Sequence, residues 1–453
     1  MKYELKFITD HKVLTEELQA YSLKKELTLK AVDLTERVLR DFHQKAAESR
    51  FPFGFPLKFV ENRINEKQEY ERVMAIQFDE NGVIDNETRP FVPWETAGGF
   101  MTDVFRAVGV PEEDAEICTD VLLESDRRGV ESQGCNRFKP IYIDRIDAGI
   151  LRPVTELEIL KDTPTTVVAD AHDGMGMVAS RRVMEMLLEK ASRYGLAMGA
   201  IRNSSHYGIA GYWTTMATDR GMIGISGTNA RPSIAPTFGV DNMMGTNPLT
   251  FSLPTDEGFP FILDCATSIT QRGKIEFFAR NGRDTPAGMV IGRDGRAMTD
   301  SEAILKALTE GEASLAPLGG IGEELAGYKG YGYAAVVEIL SAALADGLFM
   351  KDLTDKNTDG SRRPYHLGHF FLVINPEFFS GEDVFRKKTG DILRALRSSA
   401  KAPGAVRIFT PGEKAHLIRE YRKNRGVPVG KSLQKEFREL RDRFSLPYQF
   451  PFE

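Results

Sequence analysis

At 453 residues the chain is long enough for about two to three domains, and its 42% hydrophobic and 27% charged residues are typical of a globular protein. The formal net charge of −6 argues against a role driven by bulk attraction to nucleic acid or to a membrane surface. The N-terminal residues carry no signal-peptide pattern, and the apolar stretch Tyr331–Met350 contains Glu338 and Asp346, so we expect a buried helix there. The three scattered cysteines favour a reducing, cytoplasmic location over a disulfide framework.

Residues 1–90 are predicted to form a separate N-terminal extension. Apolar residues recur at helical spacing over Leu14–Ser49, and Glu71–Phe78 resembles a strand that a turn closes. No chemical motif is visible in this segment, so packing or an oligomer contact is its expected role. Residues 91–163 together with 380–453 are predicted to form a mainly helical domain, and residues 164–379 an α/β domain.

From Pro164 onward, predicted strands and helices alternate along the chain. Strands are predicted at Thr165–Ala171, Leu196–Arg202, Met222–Gly227, Leu249–Leu253, Phe259–Asp264 and His369–Ile374. Helices are predicted within Trp94–Arg128 and at Ala179–Arg193, Gly208–Asp219, Tyr333–Asp346, Glu382–Ser398, Pro411–Asn424 and Ser432–Phe444. The chain is therefore predicted to be an α/β protein with helical ends.

The stretch Ile201–Pro248 combines one histidine with three polar, glycine-bearing loops. Glycine allows backbone to approach a ligand closely, so we interpret this stretch as a ligand site. His206 follows two serines, and its ordinary pKa of about 6.5 suits proton transfer near neutrality. A histidine that local serine and asparagine side chains satisfy is an equally good interpretation at this point.

A glycine motif, Asp173–Ala179, matches the GxGxxA dinucleotide fingerprint between a strand and a helix. A Rossmann unit needs an acid at the end of its second strand to bind the ribose, and that strand ends at Ile201-Arg202-Asn203. We therefore favour a turn that packs against a helix over a true dinucleotide site.

Cations occur beside several other loops. Arg137 follows a helix end in the polar loop after Gly129, where an anion clamp and a solvated loop are equally plausible. Lys274 lies beyond a predicted strand and turn, and Lys329 lies at a helix start; each is next to a glycine. A cation in either place is weak support for an anionic ligand. The seven histidines lack carboxylate or thiolate partners at ligand spacing, so no metal site is expected.

Taken together, the motifs resemble the type 2 malate/L-lactate dehydrogenase family over about residues 95–445. The matching runs keep the family's order and are DRRGVESQGCNR at Asp126–Arg137, DGMG at Asp173–Gly176, NSSHYG at Asn203–Gly208, GTNP at Gly245–Pro248, DCATS at Asp264–Ser268 with Gly273-Lys274, PLGG at Pro317–Gly320, KGYG at Lys329–Gly332, VINPEFF at Val373–Phe379 and PGE at Pro411–Glu413. The N-terminal extension lies outside the resemblance.

The resemblance implies an NAD(P)-dependent enzyme that reduces small 2-oxo acids or oxidises 2-hydroxy acids. It also implies a family-specific, non-Rossmann mixed-sheet fold, an α/β domain that binds the cofactor, and a homodimer or higher homo-oligomer. Arg137 takes the place of the family's substrate-carboxylate arginine, and Asn247 lies in the loop around the substrate. The residues implied in cofactor binding are Ile225, Ser226, Gly227, Thr228, Asn229, Ala230, Arg231, Arg283, Asp284, Gly412, Glu413 and Lys414.

One position departs from the family pattern. The family loop Ser-His-Gly carries a histidine assigned as the proton donor, and here the loop is Ser132-Gln133-Gly134. An amide can donate a hydrogen bond but has no proton to transfer near neutral pH. His206 is then the best proton donor, with Lys274, Lys329 or a bound water as further options, while Ser132 and Gln133 polarise the substrate oxygen.

Three hypotheses follow from this departure. The first is an active 2-oxo acid dehydrogenase, the second a reductase of a cyclic imine that arrives already protonated, and the third a dinucleotide-binding protein with reduced catalysis. The choice between NAD and NADP stays open, because four arginines are equally suited to a 2′-phosphate: Arg202, Arg231, Arg283 and Arg293.

Overall fold

The computed structural model describes residues 76–80, 82–280 and 282–453, so most of the predicted extension lies outside the described residues. The helices are α1 (Trp94–Ala107), α2 (Glu112–Arg127), α3 (Asp144–Asp147), α4 (Gly176–Tyr194), α5 (Ala210–Thr218), α6 (Arg272–Arg280), α7 (Ser301–Glu310), α8 (Gly327–Ala343), α9 (Glu382–Ser398), α10 (Glu413–Arg422) and α11 (Lys431–Arg443). The strands are β1 (Phe91–Val92), β2 (Glu158–Asp162), β3 (Thr166–Asp170), β4 (Leu196–Ser204), β5 (Ile223–Thr228), β6 (Leu249–Leu253), β7 (Phe261–Cys265), β8 (Val290–Gly292), β9 (Ala313–Leu315), β10 (Leu367–Ile374) and β11 (Val427–Pro428).

A seven-stranded mixed sheet forms the centre, with the strand order β2-β3-β4-β10-β5-β6-β7. β3 and β4 pair in parallel around α4, whereas β10 runs antiparallel to both of its neighbours, β4 and β5. An antiparallel strand in the middle of the sheet is incompatible with the parallel Rossmann arrangement. The prediction of an α/β, non-Rossmann mixed-sheet fold is therefore confirmed.

The pairing register of the central strand β10 determines which loops lie next to each other. Its sequence, LGHFFLVI, is a nearly continuous apolar run, as expected for a strand covered on both faces, and most of its residues are buried. Leu367 at its start pairs with Ser204 of β4, and His369 pairs with Thr228 of β5. This register brings the loops after Ser204 and Thr228 to the edge of the sheet at which β10 begins.

The glycine motif between β3 and α4 is a packed turn, as expected from the sequence. The amide of Gly176 donates to Ser205 Oγ at 2.8 Å, and the amide of Met175 donates to Thr155 Oγ1 at 2.9 Å. A Cβ on Gly176 would lie 2.2 Å from the carbonyl oxygen of Ser205. Protein side chains therefore occupy the helix terminus where a Rossmann protein binds a pyrophosphate.

Helices from the two ends of the described chain pack against each other. α2 begins after Pro111 with acids in its first turn and ends at Arg127, as predicted. Phe100 of α1 contacts Phe437 of α11 with ring centroids 5.0 Å apart, and β1 pairs with β11. These contacts bring the two predicted parts of the helical domain together, whereas the exact domain boundaries stay a prediction.

The segment from α6 to β9 has its own small core, which the sequence reading did not predict. Ile275, Ile304 and Leu315 are buried together in it. Both ends of α7 are capped. At the N-terminus, Asp300 Oδ1 accepts a hydrogen bond from the amide of Ala303 at 2.9 Å, and at the C-terminus Gly311 ends the helix with φ 77°. Across the described residues, no helix is long and apolar enough to cross a membrane.

Candidate active site

A cavity of about 510 Å³ opens at the sheet edge where β10 begins. Eight of the residues proposed from sequence line it: Ser132, Gln133, Arg137, His206, Thr228, Asn229, Ala230 and Arg231. They come from three stretches that are far apart in sequence, namely the loop after α2, the loop after β4 and the end of β5. The fold therefore assembles one site from loops that the sequence reading singled out separately.

His206 is half-buried in the wall of this cavity, and its two ring nitrogens have different partners. Nδ1 lies 2.6 Å from the hydroxyl of Tyr142 and accepts from the backbone N–H of Gly208 at 3.3 Å. Nε2 lies 3.0 Å from Oε1 of Gln133. Because a backbone N–H is always a donor, Nδ1 is the acceptor and we assign the proton of the neutral ring to Nε2. The imidazole thus presents an N–H towards Gln133.

The protonation state of His206 follows from its surroundings. Burial lowers its pKa to about 3, and the positive charges of Arg145 and Arg137 act in the same direction. Near pH 7 the ring is therefore neutral. An anion that binds the two arginines would offset their charge and favour the protonated ring.

Gln133 owes its position to a rigid support beneath the loop. Asp126 Oδ2 accepts from the amide of Cys135 at 2.7 Å, directly below Gly134, where a Cβ would lie 2.3 Å from that oxygen. The neighbouring Glu131 forms an ion pair with the fully buried Arg422. Backbone and side chains fixed in this way hold the amide of Gln133 against His206.

Arginines give the cavity wall a positive charge. Arg137, Arg145, Arg231 and Arg272 all line it, against one wall carboxylate, Asp264. Arg137 donates from Nε to the carbonyl oxygen of Ser132 at 2.6 Å, which fixes the guanidinium group and leaves its terminal N–H groups for a ligand. Such a surface suits an anionic ligand, because the guanidinium fork binds carboxylate and phosphate oxygens in pairs.

The residues proposed from sequence for catalysis and substrate binding include two, Lys274 and Asn247, that do not line the cavity. Lys274, in α6, has its ammonium group 5.1 Å from the ring of Phe277, while its neighbour Gly273 lines the cavity. Asn247 is fully buried and donates to Glu338 Oε2 at 2.7 Å, which anchors the loop to α8. Their proposed roles in catalysis and substrate binding stay predictions.

The proposed cofactor residues separate into groups. Ile225, Ser226 and Gly227 lie within β5, and a Cβ on Gly227 would lie 2.4 Å from Phe370. Gly412 lines a second cavity of about 280 Å³, which Ile262 of β7 also lines.

The residues after Gly412 have protein partners. Glu413 is buried, forms an ion pair with Arg407 and accepts from the amide of Thr410 at 3.0 Å. Lys414 lies 4.8 Å from the ring centroid of Phe409. Neither cavity is lined by Arg283 or Asp284, and Arg283 lies 5.5 Å from the ring of Phe278.

Sequence reasoning missed Tyr142 and Arg145, which belong to the site. Arg145 and Ile141 follow Arg137 at intervals of four residues, and all three line the cavity. This helical spacing was a usable signal, because residues four apart in a helical segment share one face. No comparable signal marked Tyr142, whose partner His206 is 64 residues away in sequence.

Comparisons with known proteins show which proteins the chain resembles. The family model described as malate/L-lactate dehydrogenase matches residues 92–438. A malate dehydrogenase of Pyrococcus horikoshii is 38% identical over 366 residues, which cover 81% of this chain and 98% of the relative. An L-sulfolactate dehydrogenase of Methanocaldococcus jannaschii is 36% identical over 340 residues, 75% of this chain and 93% of the relative. Among solved structures, a malate dehydrogenase from Entamoeba histolytica superposes with a TM-score of 0.77 at 38% identity, covering 80% of this chain and all (100%) of that chain.

The fold, the cationic cavity and these similarities define an oxidoreductase that acts on CH–OH groups with a nicotinamide cofactor. The chain belongs to the malate/L-lactate dehydrogenase family. The resemblance deduced from the sequence motifs is thereby confirmed.

Proposed function

We propose that the enzyme transfers a hydride between NAD(P)H and C2 of a small 2-oxo or 2-hydroxy carboxylic acid held in the 510 Å³ cavity. The observation that carries this proposal is the positively charged wall around the His206–Gln133 pair. An anionic substrate beside a group that can hold a proton is what reduction of a 2-oxo acid requires.

Several features of the cavity fit a nicotinamide dinucleotide. Asn229, Ala230 and Arg231 line it, and the buried Oγ of Ser233 has no hydrogen-bond partner among the described residues. When bound, the nicotinamide supplies or accepts the hydride. Ile262 and Asp264 lie two positions apart in β7 and therefore on one face of the strand. Asp264 lines the main cavity, and Ile262 lines the second cavity. A long ligand that follows β7 would thus reach Gly412 from the main cavity.

Arg137 is proposed to hold the substrate carboxylate. Its Nε is already bound to Ser132, so the side chain is oriented before the ligand arrives. A preoriented guanidinium loses little conformational entropy when it binds. The carboxylate held there places C2 and its oxygen on the side of the cavity that His206 and Gln133 line.

His206 is proposed to hold and move the proton at Nε2. In reduction, the protonated ring donates its Nε2 proton to the developing alkoxide. In oxidation, the ring carries its proton on Nδ1, which donates to the Tyr142 hydroxyl oxygen, and Nε2 accepts the hydroxyl proton of the substrate. A carboxylate bound to Arg137 offsets a charge that lowers the pKa of His206, so substrate binding favours the protonated ring. Gln133 keeps the ring aligned and polarises the substrate oxygen through its amide N–H group.

Reduction of a cyclic imine carboxylate is a second candidate function. The observation that favours it is the neutral state of His206, whose pKa burial lowers to about 3. An imine nitrogen can arrive already protonated, so the absence of a charged acid in the cavity would matter less. The same Arg137 would bind the carboxylate in either reaction.

We also propose that two copies associate through the exposed face of α8. Tyr333, Val336 and Ile339 on this face are 54%, 47% and 60% exposed, and Glu338, the helix's one acid, is buried. Lys329 is exposed in the first turn of the helix, but from Tyr333 to Ile339 no charged side chain is exposed, so this part of the face can meet its own copy around a two-fold axis without repulsion. Ile339→Glu should shift the molecular mass measured by light scattering towards that of a monomer.

For the choice of cofactor, Arg231 is the best-placed partner of a 2′-phosphate. Arg202 and Arg293 already form ion pairs with Asp170 and Asp241, whereas Arg231 lines the cavity. If the enzyme uses NADP, Arg231→Gln should raise the KM for NADPH and leave that for NADH unchanged.

The experiment that tests the proposed function is an activity matrix of NADH and NADPH against 2-oxo acids and cyclic imine carboxylates. We expect turnover of at least one 2-oxo acid, and Arg137→Gln should raise its KM by roughly 100-fold because a charge-assisted bond is lost. Turnover of imines alone would favour the second candidate. Tight dinucleotide binding by calorimetry without any turnover would overturn both and leave a binding protein.

A further inference from the structure

We propose that Arg145 is a specificity-determining residue that binds a second anionic group, at the end of the substrate distant from the Arg137 carboxylate. This inference rests on the proposed function and deepens it, because it identifies the substrate as a dianionic 2-oxo or 2-hydroxy acid. Arg137, Ile141 and Arg145 line the same cavity, so two arginines flank one apolar side chain. That arrangement suits a short carbon chain with an anion at each end.

The surroundings of Arg145 lack the anion that its guanidinium group needs. Within the described residues its guanidinium group has no carboxylate within 4 Å and makes no hydrogen bond, and only charges at longer range act on it. Asp355, which acts on it at longer range, already pairs with Arg362 at 3.5 Å. A half-buried guanidinium without an acceptor is costly unless a ligand completes it.

The geometry holds Arg145 ready for such a ligand. Its guanidinium carbon lies 4.5 Å from the ring centroid of Tyr365, and both residues line the cavity. Stacking on an aromatic ring orients the plane of a guanidinium while its edge stays free to donate paired hydrogen bonds. α3, which carries Arg145, directly follows the turn Phe138–Ile143, so Arg145 is attached rigidly to the segment that carries Arg137 and Tyr142.

Two ligands possess an anion that would fit: the distal group of the substrate and a phosphate of the cofactor. The position of Arg145 favours the substrate, because its charge reaches both His206 and Tyr142 at the reacting end of the cavity. Arg231 lines the same cavity and lies in the loop proposed for the cofactor, so we assign a cofactor phosphate to Arg231. We therefore assign the distal substrate anion to Arg145.

The test compares two four-carbon substrates of equal length, oxaloacetate and 2-oxobutanoate, which differ in the charge at the far end. Arg145→Gln should lower kcat/KM for oxaloacetate by roughly 100-fold and change that for 2-oxobutanoate by less than about threefold, since one charge-assisted pair is lost. Arg145→Lys should fall between wild type and Arg145→Gln, because an ammonium keeps the charge and loses the fork. Arg152→Gln, at an exposed arginine outside the cavity, is the matched control and should behave as wild type.

The outcomes separate this inference from the proposed function. An equal loss on both substrates, or a raised KM for the dinucleotide with unchanged substrate preference, would overturn the assignment of Arg145. The same holds if wild type itself prefers 2-oxobutanoate. Absence of turnover on every 2-oxo acid in wild type would instead overturn the proposed function. Arg145→Lys keeps the positive charge on a long side chain, so its kinetics test the assignment even if Arg145→Gln folds poorly.

Discussion

Two histidines of this protein, His206 and His369, have similar electrostatics and different surroundings. Burial lowers the pKa of each to about 3, so both rings are neutral near pH 7. His369 is fully buried, with Nδ1 2.7 Å from Thr228 Oγ1 and Nε2 2.8 Å from Ser204 Oγ, whereas His206 faces the cavity. A strongly lowered pKa is therefore a consequence of enclosure. Access to a ligand is what distinguishes a candidate catalytic histidine from a structural one.

His369 nevertheless contributes to the shape of the site. Its ring connects β4 to β5 at the sheet edge and stacks on Tyr207 with centroids 4.4 Å apart. Tyr207 precedes Gly208, whose amide holds His206. His369 thus orders the loop that carries His206, and His206 faces the cavity.

The largest expected effect comes from replacing each histidine by glutamine. His206→Gln should lower kcat by about 10²–10⁴-fold, because general acid–base catalysis is worth that much and an amide has no proton to transfer. His369→Gln should lower kcat per folded molecule by less than about tenfold, because an amide can still bridge two hydroxyl groups. Steady-state assays corrected for the folded fraction measure both. Equal losses in the two variants would break the distinction drawn between them.

The next largest effect concerns stability and pH. The pKa of His369 is about 6.5 in an unfolded chain and about 3 when folded, so the unfolded state binds more protons between these values. The free energy of unfolding should therefore fall as the pH is lowered through this window, by about 2 kcal/mol for this residue between pH 7 and pH 5.

His369→Gln isolates that contribution, because other titrating groups remain in both proteins. Urea unfolding at pH 7 and pH 5 should show a loss in wild type that exceeds the loss in the variant by about 2 kcal/mol. Equal losses would mean that His369 is protonated in the folded protein. The variant itself is expected to be less stable at pH 7, since two hydrogen bonds of the ring are altered.

The sequence predicted those elements whose signals are local. β6 and α9 have the predicted bounds, because an alternating or amphipathic run ends at clear turn residues. α8 begins at Gly327, six residues before the predicted Tyr333. Glycines normally argue against a helix, but Gly327 lies so close to the carbonyl of Gly320 that a Cβ would be 2.0 Å away. Tertiary packing therefore overrides the local preference.

The site was predictable only in part for a related reason. His206 and Gln133 were found from motifs, yet their 3.0 Å contact spans 73 residues and no local pattern encodes it. No role was predicted for His369 from the sequence, which indicated only that the histidines do not bind a metal. Its partners Ser204 and Thr228 lie in other strands, so no local pattern connects them. The glycine motif at Gly174–Ala179 is the opposite case, since a strong local pattern serves packing alone.

The smallest expected effect concerns the hydrogen bond between Nδ1 of His206 and Tyr142, where His369 has Thr228 instead. Tyr142→Phe removes the hydroxyl 2.6 Å from Nδ1 and leaves the amide of Gly208 as the remaining donor. We expect kcat to fall by about fivefold to tenfold, the value of one hydrogen bond, with the KM for the carboxylate unchanged because Arg137 is untouched. Steady-state kinetics separate the two constants. A raised KM with unchanged kcat would show that Tyr142 shapes the substrate pocket instead of orienting the imidazole. An unchanged kcat would show that the backbone amide of Gly208 alone fixes the ring. His206 would then be held by a main-chain contact, whereas His369 is held by the side chains of Thr228 and Ser204.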